Sequence, residues 1–381
     1  MCRLYGGGAG MGKLGISQET EGGYPYMRKL VIDKAAVKHN LSVIKERAAG
    51  AVIYGVLTGD GGGAGIVPMA QLLRAEGIGR FAVYDVKEAE KLRQAGFEDE
   101  EILMLRSTTD REELERLVDL NVVCTISSVD TGLALNALAE NRSTVACAHI
   151  QLDTGMGFGG FLVSEPEKIL LAYRSLPNVA LEGIYTQLHA VRAKDPEAVH
   201  QLEQFHQVLD AIHAAGFETG VVHAAGSFAL LHNDGARLDG VRAGSAILGR
   251  CRRTRDDRLR TVGCGEVPLA EVRWLPKGHT VGTDKPVVLK KTTRVAVLPV
   301  GYQNGFGVTR PRETSFWALW SLWRRNKKRT VRIGDQRARV IGSVGATETM
   351  LNVTNLKCSA GDLATFDIDP LFARGFTREF R

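Results

Sequence analysis

Long apolar runs are missing from this chain: nowhere in its 381 residues do eighteen apolar residues follow one another. Nor does its N-terminus carry a charged segment leading into an apolar core. The first absence excludes a helix long enough to span a bilayer, and the second gives no sign of a secretory signal. A soluble, cytoplasmic protein is the expectation. Cysteine is sparse and scattered: the six residues Cys2, Cys124, Cys147, Cys251, Cys264 and Cys358 form no CxxC pair and no Cys/His spacing that would hold zinc. That pattern argues against a disulfide framework and against a metal knuckle, and it favours reduced thiols. His200, His206 and His213 share one helical segment without i,i+4 spacing, so no metal site is expected there either. The formal net charge of +6 comes from dispersed residues with no nucleic-acid motif among them. A solvated basic surface, rather than a nucleic-acid partner, follows.

What is present is the composition of an ordinary globular protein, 44% apolar and long enough for two domains. Residues 1–26 are glycine-rich and contain GGGAGMGKL, which comes near the phosphate-loop pattern between Gly7 and Lys13. Leu14 stands where a magnesium-binding hydroxyl belongs and no strand precedes the glycines, so a flexible tail ahead of Met27 is the expectation.

From Lys29 a short strand, KLVID, leads into an amphipathic segment at 34–48. Eight apolar, β-branched runs then follow at 51–57, 80–85, 101–107, 122–128, 145–153, 180–188, 220–226 and 238–244. Segments of helical spacing lie between them, for example 66–76, 86–95, 129–140, 165–175 and 194–215. Strands of this buried type, alternating with helices, predict an α/β fold of the (β/α)8 barrel kind over residues 27–255. Chemistry in such a barrel sits at the C-terminal strand ends. After Cys251 the pattern changes to short alternating runs at 293–302, 330–345 and 362–369, which predict an antiparallel β domain over 256–381, joined by the strand 29–33. Within it, Trp317, Trp320 and Trp323 recur every third residue in SFWALWSLWRRNKKR, 315–329. That stripe reads as a helix packed on its own protein or on a dimer partner rather than on a membrane surface.

Four stretches, in this order and spacing, resemble the alanine racemase family: DTGMG at Asp153–Gly157, HAAGS at His223–Ser227, VRAGSAILG at Val241–Gly249 and PVGYQNG at Pro299–Gly305. The resemblance runs from residue 28 to the C-terminus. It implies a barrel mouth built for pyridoxal phosphate (PLP), with Arg242 facing the pyridine nitrogen and His223 supporting it. Ser227 and the backbone of Gly244 and Ser245 would cradle the phosphate, and Tyr302 would look toward the substrate. It further implies a homodimer with each site built across the two-fold interface.

The first strand end departs from the family. Where the family carries its Schiff-base lysine in a stretch resembling VLKGNGYGLG, this chain has VLTGDGGGAG, so Thr58 takes the lysine position and Gly62 that of a phosphate-binding tyrosine. Threonine has no amine with which to form an imine. The family's second base, a tyrosine, aligns with Thr283, and no tyrosine lies between Tyr185 and Tyr302. In the same pocket Gln151 replaces a lysine, Phe158 an arginine, Gln187 a histidine, Gly226 an asparagine and Ala346 a methionine. The expectation is an isomerase-like scaffold without normal racemase activity, binding a small phosphorylated or carboxylated ligand, with PLP held weakly at most.

Three alternatives stay open on the residues. An active racemase or other PLP enzyme would need a different lysine, such as Lys285; a cofactor-free acid–base catalyst would draw on Asp60, Asp153, His189 or His223; and an architectural subunit would dimerise with an active homologue.

Overall fold

The computed structural model describes residues 27–189, 195–251, 258–282, 286–309 and 329–381. The glycine-rich segment 1–26, Thr283, Lys285 and the tryptophan stripe lie outside the described residues.

Eight parallel strands make the barrel: β2 (Val52–Val56), β3 (Arg80–Val83), β4 (Glu101–Met104), β5 (Cys124–Ile126), β6 (Ala146–Asp153), β8 (Val179–Thr186), β9 (Val221–Gly226) and β10 (Gly240–Ala243). A two-residue strand, β7 (Phe161–Leu162), adds to the end of β6. Hydrogen bonding runs β4-β3-β2-β10-β9-β8-β6-β5, and a bridge between Leu103 and Val123 brings β4 back to β5. The circle closes there because Val123 N–H donates to Ile102 O at 2.8 Å and accepts, through its carbonyl, from Met104 N–H at 2.9 Å.

The eight predicted strands are all found, within a few residues at their ends. Helices α1 (Lys34–Ala48), α3 (Ile66–Ala75), α4 (Val86–Gln94), α5 (Arg111–Asp119), α6 (Val129–Asn141), α7 (Pro166–Ser175), α8 (Pro196–Ala214) and the short α9 (Ser227–His232) cover the outside. Between β2 and α3 stands a single turn, α2 (Thr58–Gly62). Several helices start on a polar residue that accepts an otherwise unpaired N–H: Asp33 from Ala36, Asp85 from Lys87, Asp110 from Glu113 and Ser128 from Thr131. Leu41, Ile44, Leu73, Leu92 and Phe205 are fully buried between helices and strands. Each such side chain contributes about 1.5–3 kcal/mol relative to exposure.

The second domain is a nine-stranded sheet, ordered β12-β15-β18-β17-β16-β19-β11-β1-β20. Its members are β1 (Lys29–Ile32), β11 (Cys264–Pro268), β12 (Glu271–Leu275), β15 (Thr293–Leu298), β16 (Thr330–Ile333), β17 (Gln336–Val340), β18 (Thr349–Asn352), β19 (Leu363–Asp367) and β20 (Thr377–Phe380). A separate pair, β13 (Thr280–Val281) and β14 (Val287–Val288), stands off it. The sheet is antiparallel except at one seam, where the first and last strands, β1 and β20, run parallel. Chain ends brought side by side in the same direction have no other way to pair.

Asn40 of α1 couples the barrel to the chain leaving it. Fully buried, it donates to Ile247 O (2.9 Å) and Arg260 O (2.7 Å) and accepts from Arg260 N–H (2.7 Å). The substitution Asn40→Ala leaves two carbonyls and one N–H unpaired and is expected to destabilise by about 2–4 kcal/mol. Chemical denaturation checks this; a loss below about 1 kcal/mol would mean that water replaces all three bonds.

Candidate functional site

The barrel interior is polar where an aliphatic filling would be ordinary. Arg242 on β10 pairs in register with Tyr54 of β2, and only 5% of it is exposed. Among the described residues no carboxylate pairs with it. Its guanidinium donates instead to His223 Nδ1 (2.6 Å), His223 O (3.1 Å), Thr186 O (2.6 Å) and Gln187 Oε1 (3.2 Å), and lies 5.0 Å from the Tyr185 ring centroid. Burial pulls the guanidinium down to about 10, although it stays charged near neutrality.

The bonds fix the tautomers. Arginine only donates, so His223 Nδ1 accepts and its proton sits on Nε2, which donates to His149 Nδ1 at 2.9 Å. His149 therefore carries its own proton on Nε2. His223 is sandwiched between the rings of Tyr54 (5.1 Å, 24°) and Tyr185 (4.9 Å, 18°). Gly183 makes room for His149, because a Cβ there would lie within 2.7 Å of the imidazole. Burial, reinforced by the charges of Arg80 and Arg242, lowers His149 to about 3. Burial and Arg242 also push His223 well below the usual imidazole range. Both rings are neutral at pH 7. Tyr185, raised to about 12 by burial, completes the network through Thr125 Oγ1 at 3.0 Å.

At the mouth, Ser227 Oγ accepts from the N–H groups of Gly244 (3.0 Å) and Ala246 (3.2 Å). Ser227 and Gly244 are thus brought together; Ser245 lies between the two donors, and the second N–H is that of Ala246. Two amides that converge on one oxygen would suit an oxyanion that displaced the hydroxyl.

Thr58 opens α2, whose middle is left-handed: Gly59, Asp60, Gly61 and Gly62 have φ of 67°, 57°, 66° and 65°. Only glycine adopts that run freely, and aspartate is among the few side chains that tolerate it. Asp60 is committed to holding the turn, for it accepts from Ile66 N–H (3.1 Å) and pairs with Arg378 of β20 (2.7 Å). Arg378 also donates to Gly63 O at 2.9 Å. At Gly62 a side chain would meet Leu248 Cδ1 at 2.7 Å.

Asp153 is likewise structural: its Oδ1 accepts from Gly155 (2.9 Å), Met156 (2.9 Å) and Gly157 (3.1 Å). His189 pairs through Nδ1 with the buried Asp195 at 3.1 Å. Phe158 is 71% exposed on the DTGMG loop. Tyr302 opens a 3-10 turn in the second domain, 47% exposed, with its N–H on Gly345 O (2.9 Å). Among the described residues no group of three or more His, Cys, Asp or Glu side chains could hold a metal, and no helix is long and apolar enough to cross a membrane.

Sequence reading missed His149, Tyr54 and Thr125 as parts of the site. The signal existed for His149, which alternates with Gln151 in AHIQLD and so shares its face. Tyr54 and Thr125 enter the network by barrel closure, which no local pattern reports.

The family model described as the alanine racemase N-terminal domain matches residues 32–251, and that of the C-terminal domain matches 266–368. The chain belongs to the alanine racemase family. Its relative from Carboxydothermus hydrogenoformans, an alanine racemase, is 34% identical over 278 residues, 71% of this chain and 74% of that one. Among solved structures, this racemase-family fold is shared by the alanine racemase from D-cycloserine-producing Streptomyces lavendulae, with a TM-score of 0.81, 21% identity and coverage of 94% and 98%. The enzyme from Bartonella henselae, solved with covalently bound PLP, gives 0.79 at 20% identity, with coverage of 93% and 99%.

The neutral histidines set a pH dependence. Above the unfolded value of about 6.5 neither state is protonated and nothing is gained or lost. Below it the unfolded chain takes up protons that folded His149 and His223 refuse, so stability falls as pH drops from about 6.5 toward 3. The slope contributed is at most ~1.4 kcal/mol per pH unit per histidine. Denaturation midpoints between pH 7.5 and 5 check this, and His149→Gln should remove its share of the slope.

Proposed function

We propose that this chain is an alanine-racemase-fold protein that has lost imine chemistry and binds a small anionic ligand at the barrel mouth. The observation that carries the reading is the absence of a strand-end amine: among the described residues, no lysine lies on a barrel strand or in the loop that follows one. Thr58 holds the position where the family resemblance expects it, and hydroxyl for amine ends covalent attachment. The residues present therefore do not fit PLP held as an imine. An anion is better matched, since it could take the place of Ser227 Oγ on the N–H groups of Gly244 and Ala246, and Arg242 carries a charge that no carboxylate among the described residues pairs with. A phosphorylated or carboxylated small molecule matches that charge. Weak, reversible PLP binding falls within the same description, and relatives of this family make a homodimer the assembly to test.

The pocket's substitutions point the same way. Phe158 and Gly62 offer neither the cation nor the phenol that the family pattern has there, and Leu248 fills the space beside Gly62. One observation favours a second reading, cofactor-free acid–base catalysis: the half-exposed His189 imidazole is oriented by buried Asp195.

The deciding experiment adds PLP to the purified protein, reduces with borohydride and maps adducts by peptide mass spectrometry. No pyridoxyl adduct is expected on the native chain, and Thr58→Lys is expected to gain one together with a yellow chromophore. Racemisation of alanine, followed by a chiral assay with PLP present, should lie at least about 10⁴-fold below that of an active family member measured alongside. A native adduct, at Lys285 for example, would overturn the proposal. Turnover without PLP that His189→Gln abolishes would establish the second reading in its place.

A further inference from the structure

The second domain carries a row of cations that no carboxylate among the described residues pairs with. Arg332 of β16 stands directly opposite Arg337 of β17, and across its other edge opposite Thr365 of β19, which in turn faces Glu266 of β11. Directly opposed residues share a face, so these side chains form one line across the sheet, with Arg339 on the same face two residues beyond Arg337. Like charges opposite each other in a ladder are destabilising. Among the described residues no carboxylate pairs with Arg332, Arg337, Arg339 or Lys357.

Next to this row lies a cavity of about 590 Å³, lined by Arg332, Lys357, Thr365, Cys264, Glu266 and Asp362 among others. Its carboxylates are already engaged. Glu266 accepts both arms of Arg381 at 2.7 Å, and Asp362 accepts Ser359 N–H at 2.8 Å. The cavity therefore presents two cations that no described carboxylate pairs with and a hydroxyl; Glu266 is balanced by Arg381, and Asp362 is the one carboxylate of the lining that no cation neutralises.

We propose that this concavity is a second binding site, separate from the barrel mouth, for a small oligophosphate. The volume suits a small molecule. A guanidinium fork takes two phosphate oxygens at once, and the ammonium of Lys357 adds a compact charge for another part of the same chain of phosphates. Extended single-stranded nucleic acid fits less well, because among the described residues no aromatic side chain lines the cavity on which a base could stack. Arg337, directly opposite Arg332 in the ladder, raises the local positive potential, and an anion bound there relieves the repulsion.

The test uses the full chain and inorganic tripolyphosphate as the probe, read by isothermal titration calorimetry at low ionic strength. Saturable binding that weakens as salt rises is expected. The double variant Arg332→Gln/Lys357→Gln is expected to weaken it by about a hundredfold, roughly tenfold for each charge-assisted contact removed. Without ligand, the same variant should melt no lower than the parent, since it loses a cross-strand repulsion and no ion pair. Undiminished affinity in the double variant, or no saturable binding by the parent, overturns the proposal. So does citrate binding as tightly as tripolyphosphate, which would remove the phosphate assignment. A lower melting temperature of the unliganded variant, or a changed elution volume on size exclusion, would give the cations to the scaffold or to a contact between copies.

Discussion

A buried positive charge that no carboxylate among the described residues pairs with is the constraint around which this barrel is arranged. Arg242 sits at the centre of a parallel sheet, where an uncompensated ion is costly, and the protein answers with dipoles rather than a carboxylate. Thr186 and His223 turn carbonyls toward it, Gln187 adds an amide oxygen, and Tyr185 supplies the negative face of a ring. That choice dictates the rest. His223 must accept on Nδ1, so it must donate to His149, so both imidazoles must stay neutral, and Gly183 must remain without a side chain for His149 to fit. A carboxylate partner would have cancelled the charge. Dipoles solvate it and leave it uncancelled.

The two domains are joined through the same region. Arg378, almost the last residue of the chain, reaches from β20 to the left-handed turn that follows β2, gripping Asp60 and the Gly63 carbonyl. The end of the sequence thus shapes the strand end where the family pattern places its covalent anchor. In this chain that turn is held by Arg378 and by the bond from Ile66 N–H to Asp60, and it begins with a threonine. Glycines at positive φ and hydrogen-bonded turns stabilise the barrel whatever stands at position 58.

Much of the architecture was legible because burial on both faces leaves a direct mark. Runs such as AVIYGVL and RFAVYD have too few polar positions for a half-exposed strand, and their alternation with helical segments leads to a barrel. The polar helix starts at Asp33, Asp85, Asp110 and Ser128 are local features too, although they entered only with the structure. Titratable residues were harder to read. Asp60 and Asp153 looked available in the sequence, yet each uses its carboxylate to hold turn N–H groups, a role set by backbone geometry. The parallel seam between β1 and β20 joins residues about 350 apart, beyond any pattern in either segment.

By itself the sequence determined which side chains exist at the strand ends: an arginine at 242, a histidine at 223, a serine at 227, and at 58 a threonine that no folding can turn into an amine. It also determined the alternation of elements, because hydrophobic periodicity is a local property. Only the tertiary structure decided which of those side chains meet. Tyr54, His149 and Thr125 join Arg242 because a closed barrel aims alternate residues of eight distant strands at one axis, and Arg332 and Arg337 confront each other because a hairpin sets them in register. Local preference chooses conformations one segment at a time; the distances on which charge, hydrogen bonding and binding depend are set when the segments close on one another.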